Sequence, residues 1–362
     1  MTLGVLLGGG GFSTRGAQRW VLSRIDLDQL APEVITFAMG FLPHGFAFDP
    51  VRPQRAALFE KKGTGACVMD VSTGAIEREL SPSGGRHFYG HGAFSGDGAL
   101  LYATEAGLSD GALGVLAVRD GSTLEALGAL PTHGLSPHDC LLLDDRKTMA
   151  IANGGGPFGV RGSSLPSVTF VEVASGKLLD RFVLPSPRIN AGHLAVSSNG
   201  DVVVASAPRD GVGPEELSAG AITFRPTKSK SPIAHRAPPS VLERILGETL
   251  SVALDQTETR ALATQPLGDR VTAWDVATGA YLGAIELVGP RGIARTLDGQ
   301  HFVISHKREG TVVVSLFDAS TLAPTGRSVA PSYTTGSHLV VRDSSARSPI
   351  IDGVRFAPRE RS

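Results

Sequence analysis

Aromatic residues are scarce in this chain, at 6% of 362 residues, and cysteine occurs only twice. Two cysteines, Cys67 and Cys140, fall in different sequence repeats, so a disulfide framework is not indicated and two buried free thiols are expected. An excess of charge of either sign is also lacking: 34 basic residues against 35 acidic give a net charge of −1. There is no global basic field, which argues against nucleic acid as a partner. No apolar run approaches the roughly 20 residues needed to span a bilayer. The opening MTLGVLLGGGG has no basic segment and too short an apolar stretch for a secretory leader. Read as given, the chain is expected to be soluble and unexported. Its glycine-rich loops follow no strand–helix pattern, so no nucleotide cofactor is indicated.

What the chain has instead is glycine (45 residues), proline (23) and short runs of β-branched residues. That composition favours many short strands joined by turns. A unit repeats along it. Aligned on the residue that opens each apolar run, the anchors are Gly45, His91, Asp139, His193, Ser251, Gly292 and His338, separated by 46, 48, 54, 58, 41 and 46 residues. Periods of about 40–50 residues with four strands each mark a β-propeller. The second unit shows the pattern: GHGAFSGDG, ALLYATE, LGVLAVRDGS and LEALGALP. A recurrent Asp-x-(Ala/Ser)-(Ser/Thr) element reads as a turn between the outer strands, its side chains bonding local backbone.

The expected fold is therefore all-β, a seven-bladed propeller forming one domain over residues 1–362. The seventh unit is split. The C-terminal end supplies its first strand, SHLVVR, within residues 335–345. Residues 1–42 supply the other three: TLGVLL, QRWVLSRIDLD and EVITFAMGF. A competing assignment uses SPIIDGVRF (348–356) as the second strand. Two insertions read as surface excursions, the glycine-rich 154–167 and the basic, proline-rich stretch within 225–245, with a helical turn expected at VLERIL.

Five of the ten histidines fall at nearly the same point of the repeat: His44, His91, His138, His193 and His338. Each precedes an inner strand, so they are expected to gather at one mouth of the central channel. The same face should receive Arg291 and Ser251 from the two units that lack the histidine. The ends of the second strands should add Glu60, Glu105, Asn153 and His306. Imidazoles converging from separate rigid strands suit copper, zinc or iron, and Glu105 could add a hard ligand. One difficulty stands in the way. Aligned on the turn after the strand, His44, His138 and Arg291 share one register, whereas His91, His193 and His338 sit one residue later. In a regular strand that shift sends the side chain to the opposite face. Only a bulge or an irregular entry lets all five converge, so three is the safer expected number. The alternative role is mechanical, with each ring bonding a backbone carbonyl of the next blade.

Three segments carry a family resemblance: RHFYGHGAFSGDGALLYATE (86–105), LSPHDCLLLDDRKTMAIANGGG (135–156) and VTAWDVATGAYLG (271–283). They resemble a bacterial family of exported seven-bladed propellers of undetermined function, often encoded beside imelysin-type iron-regulated proteins and di-haem cytochromes. GPRGIARTLDGQHFVISH is also similar to the broader YVTN group. The resemblance implies a periplasmic setting, a role in iron or copper handling and a metal-handling protein partner, but no established reaction. The family's usual twin-arginine leader is not seen at this chain's start. Three function classes follow: a metal-binding propeller, a lactonase-like hydrolase of the YVTN kind using Glu105 and the histidines, and a pure interaction scaffold.

Overall fold

The structure, a computed structural model, describes residues 2–14, 16–107, 113–213, 220–229 and 231–343. Seven four-stranded antiparallel sheets stand in a ring, a seven-bladed β-propeller. The innermost strands of blades 1 to 7 are Gly45–Phe48, Arg86–Phe94, Pro137–Leu142, His193–Val196, Val252–Leu254, Ile293–Arg295 and Leu339–Arg342.

The strands differ in composition because each level of a blade meets a different environment. Second strands such as Arg55–Phe59 (RAALF), Thr148–Asn153 (TMAIAN) and Val202–Ser206 (VVVAS) are buried along their whole length. They are covered on both faces by neighbouring blades, so their apolar residues run on without alternation. Outermost strands such as Ile76–Leu80 (IEREL) are exposed and polar. The turns before them are closed by the expected aspartates. The Asp120 carboxylate accepts from the Ser122 and Thr123 amides at 2.9 and 2.7 Å, and that of Asp318 accepts from the Ser320 and Thr321 amides at 3.0 and 2.7 Å.

The buried side chains of the described residues form seven clusters, one at each blade interface. Blade 7 is built from both ends of the chain, in the order Leu339–Arg342, Val5–Thr14, Ala17–Asp26 and Val34–Met39. Gly8 pairs with Leu339 and Val5 with Arg342. Val5–Thr14 thus fills the second position that the competing assignment gave to SPIIDGVRF, a segment outside the described residues. The interface closing the ring packs Leu7, Leu22 and Met39 of blade 7 on Leu58, Cys67 and Met69 of blade 1. Burying a side chain of that size contributes roughly 1.5–3 kcal/mol.

Cys67 and Cys140 are free and buried, as expected, and burial pushes the Cys67 thiol up to about 12. Residues 154–166 form a loop without strands. The second insertion carries the expected helical turn, placed slightly earlier, and one strand that was not expected. Ile233–Ala234 is the fourth strand of blade 4, and a helical turn covers Pro239–Leu242. A strand of two residues leaves no alternation for a sequence to display. No helix among the described residues is long and apolar enough to cross a membrane.

Candidate metal centre at the channel mouth

All five repeat histidines meet. Neighbouring ring centroids lie between 4.2 Å, for His193 and His338, and 5.5 Å, for His44 and His193. The register difficulty is resolved by irregularity at the strand entries. His91 lies in a break of the pairing between Phe88 and Gly92, and His138 in a second break between Pro137 and Cys140. His44 and His338 precede their strands and escape the pleat. Only His193 occupies a regular pair, opposite Ala205. Bulges re-aim side chains in this way. The expected count of three for a shared site gives way to four converging nitrogens, with the fifth ring, His338, packed against three of them.

Local backbone makes room for the rings. A Cβ on Gly90 would come 2.7 Å from His44 Cδ2, and Gly90 has φ +124°, a conformation side-chain-bearing residues rarely adopt. Hydroxyls of the second strands fix the strand entries. Thr104 Oγ1 accepts from the His91 amide at 3.3 Å and donates to the His91 carbonyl at 3.0 Å. Thr264 and Ser305 hold the amides of Ser251 and Gly292 in the same manner, at 3.0 and 2.9 Å.

Four of the five, His44, His91, His138 and His193, offer ring nitrogens that all lie within 4.8 Å of one another, and all four residues are buried. The Nε2 atoms of His44, His138 and His193 are 2.9 to 3.4 Å apart. A tetrahedral ion with metal–nitrogen bonds of about 2.0–2.1 Å has nitrogen–nitrogen edges of about 3.3–3.4 Å. Two of the three edges match that value, and the His138–His193 edge is shorter by a few tenths. His338 packs its ring on those of His44, His91 and His193 without joining the four converging nitrogens.

The tautomers are set by partners on the outer side of the rings. His91 Nδ1 lies 3.0 Å from Asp139 Oδ1, so it carries the proton, and the Nε2 lone pair faces inward. His193 Nδ1 donates to the Leu250 carbonyl of blade 5, which leaves its Nε2 lone pair inward as well. The Nε2 atoms of His91 and His338 are buried without a partner among the described residues. Carboxylate–histidine pairs of this kind orient metal ligands and raise their basicity.

Burial holds His44, His138, His193 and His338 neutral. It lowers the pKa of His44, His138 and His338 well below the usual histidine value, and mutual repulsion among the imidazoles adds to the effect. His193 is lowered to about 3, again chiefly by burial. Burial opposes ionisation of Asp139, but its contact with His91 and the Leu194 amide brings the carboxyl below its ordinary value. Neutral imidazole is the ligating form.

The remaining expected residues are placed as follows. Glu105 is fully buried, but its carboxylate faces the Ser83 amide at 3.2 Å and the guanidinium groups of Arg86 and Arg119 at 3.8 Å, away from the imidazoles. Asn153 bonds Thr169 Oγ1 at 2.9 Å inside blade 3, and Glu60 accepts from the Gly65 amide at 2.9 Å in its own turn. His306 bonds Ser315 Oγ at 2.8 Å and, with Arg291, lines a cavity between blades 6 and 7. Ser251 is buried at the entry of blade 5. The mechanical role assigned to the rings holds for His193, which does bond the next blade's carbonyl; no backbone carbonyl partner is found for the other four among the described residues.

Two participants were not foreseen. Asp139 was recognised only as a repeat anchor, although it follows His138 directly. Lys61 is solvent-exposed at the rim, yet protein crowding lowers its pKa and its charge acts on His44, His138, His193 and His338. It stands next to Glu60 at the end of a second strand, the position class already assigned to this face.

No curated protein matches the chain significantly. Among solved structures it is similar to a chain of hydrazine synthase from Kuenenia stuttgartiensis, with a TM-score of 0.63 and 15% identity over 84% of this chain and 92% of that one. It is similar also to a chain of a mitotic checkpoint complex, with a TM-score of 0.61 and 14% identity over 88% and 90% of the two chains. At such identities these likenesses show the propeller fold alone. The family described as "Protein of unknown function (DUF1513)" matches residues 41–328, and the chain belongs to it.

Proposed function

We propose that this propeller binds a transition metal ion at the mouth of its channel, through His44, His91, His138 and His193. The observation that carries the reading is the convergence of four buried imidazole nitrogens from four different blades, two of them with tautomers fixed by Asp139 and the Leu250 carbonyl. A set made only of imidazole nitrogens suits copper, zinc or iron and disfavours calcium and magnesium, which take oxygen ligands. By the general order of affinities copper should bind most tightly. His338, against three of the four rings, is placed to exchange into the ligand set. The family resemblance extends the proposal to iron or copper handling in the periplasm, with delivery to or from a metal-bearing protein.

The test is elemental analysis and metal titration of untagged protein, beside a variant carrying His44→Ala and His138→Ala. These two rings bond neither backbone nor carboxylate, so their removal spares the anchors of the mouth. One ion per chain in the wild type and none in a variant that still melts cooperatively supports the proposal. Wild-type protein that takes up no copper, zinc or iron, with a variant that melts lower, shows the histidines to be fasteners and overturns it.

A further inference from the structure

Beside the histidines, between blades 6 and 7, lies a cavity of about 260 Å³ lined by residues that include Arg291, Ser305, His306, Lys307, Thr334 and Thr335. It is close to the histidine mouth. Gly292, next to Arg291, packs so tightly on the His338 backbone that a Cβ there would come 3.1 Å from it, and Lys61 feels both Arg291 and the imidazoles.

The polar groups of this cavity fall into two kinds. The neutral ones are already engaged. Ser305 Oγ accepts from the Gly292 amide at 2.9 Å, Thr334 Oγ1 bonds Ser332 Oγ at 2.8 Å, and Thr335 Oγ1 accepts from the Gly11 amide at 3.0 Å. Both ring nitrogens of His306 are used, by Ser315 Oγ and the Lys307 carbonyl. The cationic ones are not. The Arg291 side chain is about a third exposed, and the acid facing its guanidinium, Glu248, is 4.0 Å away, beyond hydrogen-bonding distance. The Lys307 side chain is exposed, and its ammonium has no bonded partner among the described residues. No carboxylate is among the lining residues, and Val312 and the threonine methyls supply a carbon wall.

We propose that this cavity binds a small organic carboxylate, with Arg291 and Lys307 as its charged partners. The Arg291 guanidinium lines the cavity with about a third of its side chain exposed and its nearest acid beyond hydrogen-bonding distance, and a planar carboxylate is its geometric complement. The volume lies just under the about 300–1,000 Å³ of clefts that hold drug-sized ligands, which selects a short anion. The carbon wall favours an organic acid over an inorganic oxyanion. This site is independent of the metal proposal and is tested on chelator-treated, metal-free protein.

The experiment is calorimetric titration of the full chain with succinate, and separately with inorganic phosphate, in the wild type and in Arg291→Gln and Lys307→Gln. Circular dichroism and thermal melts are recorded for each protein. Saturable binding of one succinate, weakened at least about tenfold in both variants while the melts stay unchanged, supports the site; one charge-assisted pair is worth about 1.5–3 kcal/mol. Absence of succinate binding, equal affinity in wild type and variants, or saturable binding of phosphate alone overturns it. Because no metal is present, these outcomes do not depend on whether the histidines ligate.

Discussion

Asp139 ties three blades together through one carboxylate. Its Oδ1 stands 3.0 Å from His91 Nδ1 in blade 2, and its Oδ2 accepts the Leu194 amide of blade 4 at 2.8 Å. Blade 3 thus supplies both His138 and, in the next residue, the group that orients the histidine of the preceding blade. Both residues lie in the break of the pairing between Pro137 and Cys140, and they reach different partners.

Asp139→Asn is expected to weaken metal binding about 10- to 100-fold, the usual cost of losing a partner that orients a metal-ligating histidine. The amide oxygen can still accept from Leu194. The amide nitrogen then faces His91 Nδ1 and favours the tautomer whose Nε2 carries a proton, which cannot ligate. Competitive metal titration with a chromophoric chelator measures the change. Undiminished affinity would mean that His91 is not a ligand.

The metal-free protein is expected to lose stability as the pH falls below about 6.5. His44, His138, His193 and His338 have folded-state pKa values below that of an unfolded histidine, near 6.5. Between the two values the unfolded chain binds more protons than the folded one, so stability is full above about pH 6.5 and declines as the pH drops toward the folded values, about 3 for His193. Melting temperatures of wild type and His138→Gln across pH 7.5 to 4.5 provide the check. The variant, with one fewer histidine to protonate, should show the shallower fall; parallel curves would refute the assignment. Bound metal should lift the wild-type curve at neutral pH and leave it unchanged at acid pH, where protons displace the ion.

Deleting residues 1–27 is expected to abolish cooperative folding rather than trim one blade. Leu339–Arg342 would lose its pairing strand, and the faces of Leu58 and Met69 in blade 1 would open to solvent. The exposed strand edges would also favour aggregation. Size-exclusion chromatography and circular dichroism of the truncated chain decide this. A monomer with a sharp melt would contradict ring closure by the N-terminal strands.

The repeat carried the architecture into the sequence. Every inner strand must enter from the same side of the ring, so anchors recur at each unit and blade number follows from their spacing. The orphan strand SHLVVR required a partner from the other end of the chain, and Val5–Thr14 supplies it. The turns, with Asp120 and Asp318 bonding the amides that follow, depend on neighbours in sequence and were legible for that reason. The two-residue strand Ile233–Ala234 was hidden because it is too short to alternate.

The histidines divide differently. The sequence alone determined that five of them share one place in the repeat and therefore approach one end of the channel, because the position of a residue within its unit sets its height in the ring, although the strand that carries His91 begins earlier, at Arg86. It could not determine their direction. Strict alternation would have split them between two faces, and only the irregular pairing at His91 and His138, which depends on how blades 2 and 3 meet their neighbours, turns all five rings to one point. Which nitrogen faces inward was likewise decided by the tertiary structure. Asp139 and the Leu250 carbonyl come from different blades, brought within hydrogen-bonding reach of His91 and His193 only when the ring closes.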